Sequence, residues 1–348
     1  MVELWFGIPA IMLATYVVMD GFDFGAGALH LFVARNDAER RQVLAAIGAF
    51  WDGNEVFLLA TGGVLFVAFP KGLAAGLSGF YLAIFLVLWV LILRGIGIEF
   101  RSHSEHTLWR TAWDFVFGVA SMLLPVLFGA ALGNLLRGLP LNQEGWFSLP
   151  LFTDFTTRGE VGILDWCTVL VSVFALLAIV GHGATYLAWK TDEPVCARSR
   201  LAAMWCYGVV AVLWPIVTLA TATVNEHMYD VLLDRPLAWL ALLVAVGGLG
   251  LVALGLRGNR PLQAFLGSSA YLAGLLGATA ALVFPVMLRA TGGDELSLTA
   301  YNSAVPAASL RIALGWWVIA APLAVTYFVV LFRLHRGKAV VSRQREGY

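Results

Sequence analysis

Charge is scarce in this chain. Only 13% of its 348 residues are charged, while 60% are hydrophobic. A soluble domain carries about a quarter charged residues. That shortage excludes a soluble enzyme built around a large core, and no nucleic-acid partner is expected of such a chain. A mean hydropathy of +0.83 points to a polytopic membrane protein. Cysteine is nearly absent as well. Cys167, Cys196 and Cys206 form no CxxC pair, so no disulfide framework and no metal site is expected, and the three read as small packing residues. No CxxCH haem attachment, phosphate loop, HExxH or nucleophile elbow occurs. The N-terminus, "MVELWF", has no basic stretch ahead of its apolar run and reads as a retained first helix.

Apolar runs, by contrast, are abundant. A membrane span needs about 20 mostly apolar residues. Nine stretches qualify, near 5–33, 47–69, 75–98, 112–136, 161–189, 201–224, 237–256, 264–288 and 307–333. Lys and Arg alternate unevenly between the connecting segments. Sixteen fall on the side that holds Arg35, Arg101, Arg198, Arg257 and the C-terminal tail with Arg343 and Arg345, and six on the other. The basic side is the cytoplasmic one by the positive-inside rule, which places the N-terminus outside and the C-terminus inside. The expected fold is therefore all-α, with about nine transmembrane helices. The long segment 137–160 on the outer side separates a first four-helix bundle (1–136) from a second (161–288). A peripheral ninth helix and a basic tail follow (289–348).

The first span holds "VVMDGFDFGAG", with Asp20 and Asp23 in an apolar run. Asp20 lies about 25 Å along the helix from Glu3 at 1.5 Å per residue, in the cytoplasmic half. Asp23, three residues on, shares its face. The second span opens with "FWDGNEVFLL", putting Asp52 and Glu55 at a similar depth with Asn54 beside them. An acid near a span centre costs about 2.5–3.5 kcal/mol. Such residues face a bundle interior or a hydrated cavity and mark ion or proton paths. Asp20, Asp23, Asp52 and Glu55 are accordingly the candidate proton pathway, against the plainer reading of helix caps and ion pairs. Asp37, Glu39 and Glu105 read as solvated loop acids. Gly21 and Gly25 form a G-x-x-x-G that admits a close helix. Arg94 and Glu99, at the end of the third span, and Asp114, at the start of the fourth, are candidate supports. Arg94 reads first as structural, and otherwise as the partner of a carboxylate or a cofactor propionate. Asp165 is a candidate pairing or exit-side acid.

Histidine is too sparse for a self-contained dihaem cytochrome, which needs four intramembrane ligands. Of six histidines only His30 and His182 lie in spans. One haem held between those two is the less favoured reading, and lone packed histidines the favoured one.

Taken together, "VMDGFDFGAG" and "WDGNEVFLL" resemble subunit II of the cytochrome bd-type quinol oxidases, a group that includes the cyanide-insensitive oxidases. "RNDAERR", "FPKGLAAGLSGFYLAIFLVL", "LRGIGIEFR", "RTAWDFVFG", "GNLLRGLP" and "GATYL" follow in the family's order over residues 16–190. The resemblance implies nine helices in two bundles plus one, and a chain that generally holds no haem. It implies a haem-bearing subunit I as partner, with haems b and d or b only, and in some members small single-span subunits and a structural quinone. The complex would oxidise ubiquinol or menaquinol and reduce oxygen to water in the bacterial cytoplasmic (inner) membrane. The family's acids associated with proton delivery match Asp20, Asp23 and Asp52. His182 departs from members that carry Gln before "GATYL". Two other readings stand beside this one: a secondary transporter using the intramembrane carboxylates, and a scaffold that conducts no protons.

Overall fold

The structure, a computed structural model, describes residues 1–339. The C-terminal part of the expected basic tail, with Arg343 and Arg345, lies outside the described residues. Twelve α-helices follow in chain order among those residues: α1 (Val2–Val33), α2 (Asp37–Ile47), α3 (Trp51–Ala68), α4 (Pro70–Gly79), α5 (Tyr81–Arg101), α6 (Thr107–Arg137), α7 (Trp166–Lys190), α8 (Val195–Val224), α9 (Pro236–Arg257), α10 (Pro261–Val283), α11 (Ala300–Ser303) and α12 (Ala307–Leu334). Eight are long and apolar enough to cross a membrane, and α2 with α3 makes a ninth span if that bent pair is counted as one. The chain is an all-α polytopic membrane protein. Among the described residues its one sheet is a ribbon pairing Val286–Leu288 with Leu298–Thr299, which hydropathy alone does not foresee.

Several boundaries differ from the hydropathy windows, each for a local reason. The second span does not run from residue 47. The helix breaks over residues 48–50, and α2 and α3 meet at 43°. Asn36 caps α2 by accepting the Glu39 amide (3.0 Å), while the Glu39 carboxylate accepts the Arg35 amide (2.7 Å). Asp37 and Glu39 are thus helical residues rather than loop acids. The third window, 75–98, straddles two helices: Pro70 starts α4, and Phe80 separates it from α5. The fifth starts late, at Trp166, because Asp165 caps α7 with a reciprocal capping box to Thr168.

The α1 helix packs against α3, α6, α7 and α10, so it is the hub of the assembly. Its stretch from Asp20 to His30 is buried without interruption. The α1–α7 crossing is a backbone contact. A Cβ on Gly25 would overlap the Ile179 carbonyl, and one on Gly183 would overlap the backbone of Gly25 and Ala26. This is the close approach that small residues permit, and the partner of the G-x-x-x-G is α7. By contrast α12 is peripheral. Leu310 is its one buried residue among those described. It is held at one end by the Trp5 indole donating to the Leu310 carbonyl (3.1 Å). At the other, Lys190 donates to the carbonyls of His335 (2.8 Å) and Gly337 (3.0 Å).

At the end of the helices away from Arg35 and Arg101, the segment between α6 and α7 is tied down by Arg137. Its guanidinium pairs with Asp165 and donates to the Gly162 carbonyl (2.8 Å) and to Asn134 Oδ1 (2.8 Å). Asp165 is therefore a helix cap and an ion-pair partner, both buried. Further along this segment, the Thr156 hydroxyl and amide donate to Asp154 (2.8 and 3.1 Å) and hold its carboxyl below the usual range.

Candidate functional site

Asp20 and Asp23 face the bundle interior and are fully buried. The α5 helix supplies Arg94, also fully buried, whose Nη1 lies 3.0 Å from Asp20 Oδ1 and 3.2 Å from Glu55 Oε1 of α3. Its guanidinium carbon sits 4.5 Å over the Phe24 ring, so an aromatic face from α1 supports the cation. Asn54, buried on α3, donates through Nδ2 to Asp23 Oδ2 (2.7 Å) and to the Met19 carbonyl (3.0 Å). The sequence-predicted Asp20, Asp23, Asn54, Glu55 and Arg94 thus form one cluster. Asp52 is not brought into it: the side chain is exposed on the first turn of α3, one turn from Glu55. Glu99 is exposed near the end of α5.

The charge count of this cluster is unusual. Two carboxylates, Asp20 and Glu55, pair with one guanidinium, the neighbouring Asp23 is bonded by Asn54 instead, and two of the three acids and the arginine are buried. Desolvating an ion costs several kcal/mol even after relaxation. A single cation offsets that cost for about one carboxylate. The others are held at low cost only with protons on them. Glu55 is the member with access, its side chain 26% exposed.

A second buried cluster lies at the basic end. Asp114, on α6, receives His30 Nε2 from α1 (2.6 Å), Arg40 Nη1 from α2 (2.8 Å) and Arg101 Nε from α5 (2.5 Å). Arg101 continues to Asp37 (2.8 Å), which also takes Arg110 and Arg41 (3.2 Å each). Asp114 anchors the start of α6, as its position suggests, but it does so as the hub joining four helices. Sequence reasoning missed the bonds of Arg40 and Arg101 to Asp114 and Asp37 because the partners are 13 to 74 residues apart and the charges look solvated. The visible signal was His30 itself, seven residues after Asp23 and on the same face of the helix.

His182 is satisfied at both ring nitrogens. Nε2 donates to the Val18 carbonyl (2.9 Å) and Nδ1 accepts from Ser268 (2.7 Å), and the ring stacks on Phe265 at 5.2 Å. Neither nitrogen has a lone pair free for iron. His30 and His182 lie on neighbouring helices and belong to separate networks, His30 with Asp114 and Phe117 of α6 and His182 with Ser268 of α10 and the Val18 carbonyl. His182→Gln is expected to leave the visible haem spectrum of the assembled complex unchanged, as a reduced-minus-oxidised scan would show.

The ordered motifs find their counterpart in whole-chain comparison. The family model described as cytochrome bd terminal oxidase subunit II matches residues 1–335. The chain belongs to that family. It is 31% identical over 351 residues to the cytochrome bd-I ubiquinol oxidase subunit 2 of Escherichia coli strain K12, covering 93% of this chain and 91% of that one. It is 30% identical over 316 residues to the cytochrome bd ubiquinol oxidase subunit 2 of Bacillus subtilis, covering 89% and 88%. The structure of bd oxidase from Geobacillus thermodenitrificans matches in fold, with a TM-score of 0.69 at 18% identity over 96% of this chain and 98% of that one. As a bd-family subunit II, the chain is one member of an oxidoreductase complex, and a free-standing transporter is not favoured.

Proposed function

We propose that this chain is the subunit II of a quinol:oxygen oxidoreductase. It supports a haem-bearing subunit I in the bacterial cytoplasmic membrane and conducts protons toward the oxygen-reduction site. The names of the relatives support ubiquinol as a reductant, with menaquinol an equal candidate by chemistry. The haems, b with d or b only, belong to the partner. The basic end of the helices is cytoplasmic, because sixteen of the twenty-two Lys and Arg residues lie on that side.

The observation that carries the proton role is the sharing of Arg94 between Asp20 and Glu55, with a third acid, Asp23, buried beside them on Asn54. A scaffold gains nothing from surplus buried acids, which destabilise it. A proton conductor needs groups that exchange protons away from bulk water. Asp52, exposed on the same helix as Glu55, is assigned to the mouth of the path. Asp23→Asn keeps the shape and the Asn54 contact but cannot carry a proton. It is expected to assemble with a complete haem spectrum and to slow quinol-driven oxygen uptake by about tenfold or more. Full uptake by that variant would leave the scaffold reading in place. A tagged purification that yields this chain alone and colourless from membranes rich in it would remove the oxidase reading altogether.

A further inference from the structure

The buried polar residues of α1 lie on one stripe. Tyr16, Asp20, Asp23, Gly27 and His30 follow at spacings of four, three, four and three, a heptad pattern that keeps them on one face. The stripe spans about 21 Å at 1.5 Å per residue. Its apparent gap is Gly27, which carries no polar side chain. There α6 fills in: a Cβ on Gly27 would collide with Ser121 Oγ. The stripes of the two antiparallel helices match, since His30 meets Asp114 and Gly27 meets Ser121, seven residues later on α6.

Between His30 and Asp23, three buried atoms along this seam have no protein hydrogen-bond partner: His30 Nδ1, Ser121 Oγ and Asp23 Oδ1. Orphaned buried polar atoms are rare, and three in succession on one seam call for an explanation. Pro125, inside α6, adds a fourth acceptor there. Without an N–H it cannot bond the carbonyl four residues back, which is that of Ser121. Polar groups of this kind are what ordered water requires in a protein interior.

We infer that the seam between α1 and α6 is the proton entrance to the acid cluster, with His30 as the proton-carrying residue and Ser121 as the hydroxyl that bridges His30 to Asp23 through water. This rests on the proposed proton role of Asp20, Asp23 and Glu55. His30 takes up a proton from the cytoplasmic end and becomes an imidazolium, its Nε2–H held on Asp114 and Nδ1–H added. It then releases the Nδ1 proton to the Ser121 chain, which delivers it to the Asp23 carboxylate. The ring returns to the neutral Nε2–H form. Arg40 and Arg101 hold Asp114 ionised, so it orients the ring and does not take the proton away. Gly27 is glycine because any side chain would displace the hydroxyl.

The test uses the complete oxidase complex with variants in this chain. His30→Gln keeps a donor for Asp114 but cannot hold a proton, and Ser121→Ala removes the hydroxyl without adding volume. Both are expected to assemble with full haem content, to lower quinol-driven oxygen uptake by about tenfold for His30→Gln, and to enlarge the solvent deuterium isotope effect on turnover. In His30→Ala, added imidazole is expected to restore most of the lost rate, which a purely structural role would not allow. If His30→Gln and Ser121→Ala turn over at the unaltered rate while Asp23→Asn is slow, the entrance lies elsewhere and the role of the acids stands. If Asp23→Asn is also at full rate, the proton reading falls and the entrance with it. Loss of rate in His30→Gln with an unchanged isotope effect and no imidazole rescue in His30→Ala would likewise overturn the assignment.

Discussion

Gly183→Val is expected to abolish the folded subunit, and with it any haem-loaded complex recovered from membranes. At the α1–α7 crossing the neighbour is main chain, not a flexible side chain. A Cβ on Gly183 would fall on Gly25 and Ala26, and one on Gly25 would fall on the Ile179 carbonyl and on Gly183. Overpacking a core by a methylene or two costs about 1–3 kcal/mol when side chains can shift. Here two helices must move apart instead. The crossing lies within the Asp20–His30 stretch of α1, so separation would also open the seam along which the acids sit. Gly62→Val and Gly247→Val, at spans where a Cβ meets nothing within 4 Å, are the matched controls and are expected to accumulate normally. Yield of haem-loaded complex in mild detergent reads the contrast. Equal yields from all variants would show that α1 and α7 do not cross this closely.

Arg94→Met has the second large effect. Breaking a buried ion pair by removing one partner costs about 3–5 kcal/mol, because the remaining charge is left buried and uncompensated. At this site the loss falls on Asp20 and Glu55 together. The thioether of methionine still packs on the Phe24 ring, so the loss of charge is separated from the loss of volume. The expected result is a complex that melts earlier and loses haem from its partner. The double variant Arg94→Met with Asp20→Asn removes the stranded charge and is expected to recover part of that stability, while oxygen uptake stays low. Thermal unfolding of the purified complex measures both. A double variant no more stable than the single one would show that Asp20 is not the group Arg94 neutralises.

The interior position of Asp20 and Asp23 was legible from sequence because two carboxylates in an apolar run violate hydropathy, and only burial in the bundle resolves the violation. The G-x-x-x-G at Gly21 and Gly25 was legible for the same kind of reason, although its partner, Gly183, was not. Asp52 was grouped with Glu55 by its i, i+3 spacing, its depth and the family motif. Three residues of helix leave about 60° between two side chains, enough on α3 to expose one and turn the other toward Arg94. The polar α2 helix escaped hydropathy because it is too charged to look like a span, and its acids looked solvated until Arg101, Arg110 and Arg198 were seen to meet them. His30 and Asp114 are 84 residues apart. No local pattern joins them, and only the antiparallel packing of α1 and α6 does.

The last helix suggests an order of events during synthesis. Because α12 contributes one buried residue among those described and is fastened near its two ends, by Trp5 at one and Lys190 at the other, the body that precedes it can settle in the lipid before it arrives. Both fasteners belong to helices made earlier, α1 and α7, so the closing helix has fixed points waiting for it. Until α12 arrives, the flank of α3 against which it packs still faces lipid.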